Sequence, residues 1–149
     1  DNAVRVYSQI DEAAEAAGLS IDFGKIKRTP NTLDAHCLIH WAGLEGRQTA
    51  AASRLFKAYF EEGLDIGERE VLLDIAQSIG LDREMINRLY ESNADKDDIR
   101  GRDEHARSRG VTGVPTFILA NQHAIPGAQP TELWLQVIDE VAEQLKDAE

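Results

Sequence analysis

Gly113-Val114-Pro115-Thr116-Phe117 constrains this chain of 149 residues more than any other stretch. Thr116-Phe117-Ile118-Leu119 is rich in β-branched and aromatic residues and reads as a strand. A proline directly before it cannot donate to a ladder, and it forces Val114 into extended backbone. An X-Pro bond at such a turn is a candidate cis peptide, although cis accounts for only about 5–6% of X-Pro bonds in folded proteins. Ala120-Asn121-Gln122 supplies a turn, His123-Ala124-Ile125 a second short strand, and Pro126-Gly127 its end. Thr131 then caps a final helix with Leu133, Trp134, Val137, Ile138, Val141 and Leu145 inward.

Upstream of this strand–turn–strand–helix unit the sequence is almost entirely helical in period. Val4, Tyr7, Ile10 and Ala14 recur at helical spacing, with Gly18 placed to end that helix. Leu19, Ile21 and Phe23 alternate with polar residues, so Leu19–Lys27 is a strand candidate closed by Thr29-Pro30. Five helices are expected between Asn31 and Arg109. The first, capped by Asn31 or Thr32, carries Leu33, Cys37, Trp41 and Leu44 on its apolar face. The second, near Gln48–Glu61, turns Ala51, Leu55, Phe56, Tyr59 and Phe60 inward. The third covers about Glu68–Ile79, and a short fourth is capped by Asp82 and carries Met85, Ile86 and Leu89. A fifth opens at Asn93 or Asp95, carries Ile99 and Ala106, and stops at Gly110. Short linkers between amphipathic helices imply a compact bundle. The few strands lie towards the two ends and are expected to meet in one small sheet, with the helices inserted between them.

Composition removes several classes of function. Acidic residues number 27 against 16 basic ones, giving a net charge of -11 that repels nucleic acid and anionic membranes. Hydrophobic residues at 42% suffice for a globular core, yet no apolar run approaches the roughly 20 residues of a bilayer span. No signal peptide is visible at the start, and the chain opens on Asp1 rather than Met. Cys37 is the single cysteine, which excludes an internal disulfide and a metal site made of cysteines. Dithiol redox chemistry needs an attacking and a resolving thiol, and one is absent. One free thiol suits a reducing, cytoplasmic compartment.

The order of elements around Gly113–Phe117 resembles the C-terminal half of a thioredoxin fold. Pro30 to Ala42, Leu55 to Phe60, Val71-Leu72 with Ile75-Ala76, and Gly127-Ala128-Gln129-Pro130 are similar to the FrnE-like branch of the DsbA family. The resemblance spans about Leu19 to Leu145. It implies an α/β fold: a partial thioredoxin-like sheet with a large inserted all-α domain. Residues 1–30 and 110–149 would form the incomplete thioredoxin-like part, and residues 31–109 the helical insertion. It implies a protein thiol–disulfide oxidoreductase using no cofactor, with thiols or disulfides of proteins or small molecules as partners. It also implies that the Val114–Pro115 bond is cis, that Val114 and Pro115 bind substrate, and that Val114 pairs with the substrate backbone.

Two departures qualify the match. The family's Cys-x-x-Cys, which follows the first strand, is absent, and so is the preceding βαβ-type part. The chain is therefore expected to begin after that motif and to be inactive alone, with self-association or strand exchange through the sheet edge left bare. Position 37 is usually Arg in the family pattern and is Cys here, so Cys37 is not the catalytic thiol by resemblance. A glutathione-dependent kappa-class transferase, or an enzyme like 2-hydroxychromene-2-carboxylate isomerase, shares the inserted helices and the Gly-Val-Pro loop. A non-catalytic binding module is a third possibility.

The remaining candidates weigh less. Free cysteines are usually buried and inert, which makes Cys37 a small core residue on an apolar helix face. His36 and His40 stand four apart on one helix, a spacing that can hold zinc, but no His-Glu-x-x-His and no third ligand accompany them. They read as structural or groove histidines, and no metal is expected. Glu61-Glu62 and Asp95 to Asp98 read as solvated helix-end charges, and His123 as a packing residue.

Overall fold

The computed structural model describes the backbone of residues 2–119 and 123–147, with side chains at 8, 10–119, 123–144 and 146. The expected turn at 120–122 and the inward side chains of Val4, Tyr7 and Leu145 lie outside the described residues. The elements run in the order α1 (Asn2–Ala16), α2 (Leu33–Leu44), α3 (Gln48–Phe56), α4 (Arg69–Ser78), α5 (Arg83–Glu91) and α6 (Lys96–Ser108). Then follow β1 (Thr116–Leu119), β2 (His123–Pro126) and α7 (Thr131–Asp147). The chain divides into two compact units, residues 1–101 and residues 102–149.

The first unit holds the core. Its fully buried side chains include Cys37 and Leu38 of α2, Leu72 and Ile75 of α4, and Tyr90 of α5. Helix ends follow sequence chemistry. Gly18 takes φ +70, and the Leu19 N–H reaches back to the Ala14 carbonyl at 2.8 Å, satisfying a carbonyl that the end of α1 leaves open. Asp82 caps α5 by accepting the Met85 N–H at 2.8 Å. At α2, Asn31 rather than Thr32 provides the side-chain acceptor, taking the Leu33 N–H at 3.0 Å.

Burial departs from the expected faces in three helices. α3 passes into a π-helical turn at Lys57–Glu61, with the Glu62 N–H bonded to the Lys57 carbonyl at 3.1 Å. That wider turn brings Ala58 into the core beside Leu55 and leaves Phe56 exposed, against expectation. On α2, Leu44 is exposed while Ala35 and Ala42 are buried. On α5, Met85 is exposed and Tyr90 takes the core position.

The strand expected over Leu19–Lys27 is not formed. Its amides are spent on turns: Gly24 N–H on the Asp22 carboxylate, Lys25 N–H on the Asp22 carbonyl, and Ile26 N–H on the Phe23 carbonyl. The segment is fastened to the helical unit instead. Asp22 N–H bonds the Phe60 carbonyl at 2.9 Å, Lys25 Nζ bonds the Glu61 carbonyl at 3.2 Å, and Arg28 pairs with Asp65 and Glu68. Of the alternating residues Ile21 and Phe23 are half-buried while Leu19 is exposed, and a strand also needs a neighbour for its ladder. The expected meeting of terminal strands is corrected accordingly. Among the described residues the sheet consists of β1 and β2 alone, antiparallel, with Thr116 opposite Pro126 and Leu119 opposite His123.

In the second unit α7 packs on the hairpin through Trp134, whose ring meets Phe117 edge-on at 4.7 Å. Trp134, Val137 and Val141 are half-buried, whereas Leu133 and Ile138, expected inward, are exposed. A hairpin of two four-residue strands covers less than the full width of the helix stripe.

Candidate functional site

The loop between α6 and β1 is shaped by its two ends. α6 stops at Gly110, with φ +87, where the Val111 N–H bonds the Ala106 carbonyl at 3.2 Å. The Val114–Pro115 peptide bond is cis. On one side of it, the Thr116 hydroxyl donates to the Gly113 carbonyl at 2.7 Å. On the other, the Gly127 N–H donates to the Pro115 carbonyl at 2.7 Å. The Gln129 side-chain amide donates to the Pro126 carbonyl at 2.7 Å and steadies the far strand end.

Val114 stands out from this frame. Its side chain is 92% exposed, and its own N–H and C=O have no hydrogen-bond partner among the described residues. A loop offering one free donor and one free acceptor suits pairing with an extended backbone. Pro115 adds no N–H of its own beside that pair.

Beneath the loop lies a hollow of about 600 Å³. Thr116 and Ile118 of β1, with Ala124 and Pro126 opposite, line one wall, and Arg109 to Val114 line the other. Its ionisable lining groups are Arg109 and His123, both basic or neutral in a chain of net charge -11. His123 thus lines the hollow, a position that packing considerations alone do not foresee. The hollow presents hydroxyls at Thr112 and Thr116 and no thiol. It can receive a ligand; it holds no redox group.

Cys37 lies in the first unit and is fully buried. Burial pushes its thiol above the ordinary value, and the Asp34 carboxylate adds to the shift. The surroundings are closed by polar bonds. Tyr90 donates its hydroxyl to the Asp34 carbonyl at 2.9 Å, and the Trp41 indole donates to Asp95 at 2.7 Å. Lys96 pairs with Asp34 at 2.9 Å. Trp41 and Tyr90 meet edge-on at 4.8 Å, and Arg69 lies over the Tyr90 ring. None of Tyr90, Asp95 or Lys96 was distinguishable by spacing, since each bond spans more than fifty residues.

His36 and His40 share α2 with Cys37, one turn apart. His36 is exposed, with Nδ1 at 2.7 Å from the Thr32 carbonyl, and His40 is half-buried. Among the described residues no three His, Cys, Asp or Glu side chains gather as a metal site. No described helix is long and apolar enough to cross a membrane. The structure therefore brings Val114, Pro115 and His123 together around one loop and hollow, and places Cys37, His36 and His40 in the other unit.

Comparison with known proteins adds the family. The sequence pattern of the DSBA-like thioredoxin domain matches residues 2–139. The uncharacterized protein YwbO of Bacillus subtilis is 29% identical over 134 residues, covering 89% of this chain and 66% of that protein. A probable DsbA oxidoreductase from Streptomyces coelicolor superposes with a TM-score of 0.76 at 30% identity, over 85% of this chain and 55% of its own. A 2-hydroxychromene-2-carboxylate isomerase superposes with a TM-score of 0.80 at 19% identity, over 97% of this chain and 70% of its own. The chain thus spans between half and two thirds of the Streptomyces and Bacillus relatives.

Proposed function

The chain belongs to the DSBA-like thioredoxin domain family, and on that premise we propose that it is the substrate-docking and helical part of a thiol–disulfide oxidoreductase. The outward Val114 with its unpaired main chain carries this proposal. A substrate segment beside its disulfide would lie along Val114, exchanging one N–H···O=C bond in each direction. A thiolate of the enzyme then attacks one sulfur of the substrate disulfide. A mixed disulfide forms, and the other substrate sulfur leaves as a thiolate. A second enzyme thiolate attacks the mixed disulfide, so the substrate departs as a dithiol and the enzyme holds the disulfide; the reverse sequence oxidises the substrate. Both enzyme thiols would lie outside these 149 residues, because the one cysteine here is buried in α2. The proposal keeps residues 1–30 and 110–149 as the incomplete thioredoxin-like part around a helical insertion at 31–109. It gives His36 and His40 no part in the exchange.

The isomerase alternative rests on likeness of fold, since that neighbour is 19% identical, whereas the 30% likeness is to the probable oxidoreductase. Reduction of a protein disulfide is the direct test. The 149-residue chain is expected to be inactive, and a longer form of the protein carrying a Cys-x-x-Cys is expected to be active. Absence of turnover in that longer form overturns the proposal.

A further inference from the structure

We propose that Thr116 is a positioning residue whose hydroxyl holds the Val114 main chain in the orientation that receives an extended, disulfide-bearing peptide; this rests on the docking role given to Val114 above. The loop has little packing to hold it. Val114 is 92% exposed, and a Cβ placed on Gly113 would meet nothing within 4 Å. Neither residue can therefore be fixed by neighbouring side chains. What remains is hydrogen bonding at the two flanks. Gly127 N–H holds the Pro115 carbonyl, and the Thr116 hydroxyl holds the Gly113 carbonyl, each at 2.7 Å.

These two bonds fix the carbonyls before and after Val114 and leave Val114 itself unbonded. Of the pair, the Gly127 bond continues the β1–β2 ladder next to the Thr116–Pro126 pair and forms with the hairpin. The Thr116 bond is different, because it joins a side chain to a carbonyl three residues earlier and lies outside the ladder. Removing the hydroxyl frees the peptide plane between Gly113 and Val114, which carries the Val114 N–H. That donor then has to be ordered when the peptide binds, and the cost appears in affinity. A purely structural Thr116 would need only its β-branched shape at the start of β1.

The test uses the 149-residue chain, labelled with ¹⁵N and titrated with a short end-blocked peptide closed by one disulfide. In the wild-type chain the Val114 amide is expected to shift on titration. Thr116→Val keeps the branched shape and is expected to bind about three- to tenfold more weakly, the usual range for one hydrogen bond. Thr116→Ser restores the hydroxyl and is expected to bind as the wild type does. The Trp134 indole resonance reports whether the hairpin still packs on α7. If it moves in the Val variant, the pair Thr116→Ser and Thr116→Ala, matched in size, reads the hydroxyl instead. Equal affinity with and without the hydroxyl overturns the inference and leaves the docking role standing. A wild-type chain with no shift at Val114 overturns the docking role and the inference with it.

Discussion

Cys37 is the single cysteine of these 149 residues, and its reactivity can be worked out from its surroundings. The side chain is fully buried in α2, so a disulfide reagent reaches Sγ only after α2 has moved. That movement uncovers Leu38, Trp41 and Ala42 and breaks the bonds of Trp41 to Asp95 and of Tyr90 to Asp34. Domain stabilities begin at about 5 kcal/mol, and an opening of about that size exposes roughly one molecule in 5,000. Labelling in the native state should therefore be slowed several-thousandfold relative to the unfolded chain. Reaction with an aromatic disulfide reagent, followed by absorbance with and without urea, measures the ratio. One equivalent should react promptly in denaturant and very slowly in buffer. Native labelling at a rate near that of the unfolded chain would refute the reasoning, and with it the proposal that both enzyme thiols lie elsewhere.

Two further outcomes follow from the same cluster. Tyr90→Phe deletes the hydroxyl that donates to the Asp34 carbonyl and keeps the ring against Trp41; urea unfolding should show a loss of about 1 kcal/mol with an unchanged slope, and no loss would mean the bond is worth nothing net. Burial raises the pKa of both Cys37 and Tyr90 above the ordinary values of 9.0 and 10.0. The folded protein then keeps protons that the unfolded chain releases, so these groups leave stability unchanged below about pH 9 and lower it as pH rises beyond. The urea midpoint should hold up to about pH 9 and fall between about pH 9 and pH 11, and a midpoint that holds constant across that range counts against the buried placement of the two groups.

Much of the fold was legible because helix periodicity, caps and stops are local. Asp82 at α5 and the glycine stop of α6 needed only their immediate neighbours. Failures came where a residue's state depends on something distant. Leu19–Lys27 carries strand alternation, but no partner ladder forms, and Asp22 captures the local amides instead. The π-helical turn at Lys57–Glu61 re-phased α3 and moved Phe56 outward, which no 3.6-residue template anticipates. Tyr90 is placed by a bond to the Asp34 carbonyl, 56 positions away. In the candidate site the Gly-Val-Pro string was legible as a turn before a strand. The Thr116 hydroxyl was hidden, because a β-branched residue at a strand start already has a sufficient reason to be there.

The contacts that flank the Val114–Pro115 bond among the described residues fall between residues 113 and 134. They are the Thr116–Gly113 and Gly127–Pro115 hydrogen bonds, the Gln129–Pro126 bond and the Phe117–Trp134 ring contact. None of them requires a redox cysteine, and none involves Cys37. A docking surface assembled this locally does not need the reacting thiols to acquire its shape. Under the proposed function, binding and chemistry would then be separable steps: Val114 would recognise an extended peptide where no sulfur is available to attack its disulfide. That separation makes the titration at Val114 informative in a chain expected to turn nothing over. Under the proposed function, the peptide would first be aligned along the loop and its disulfide thereby held in line for attack.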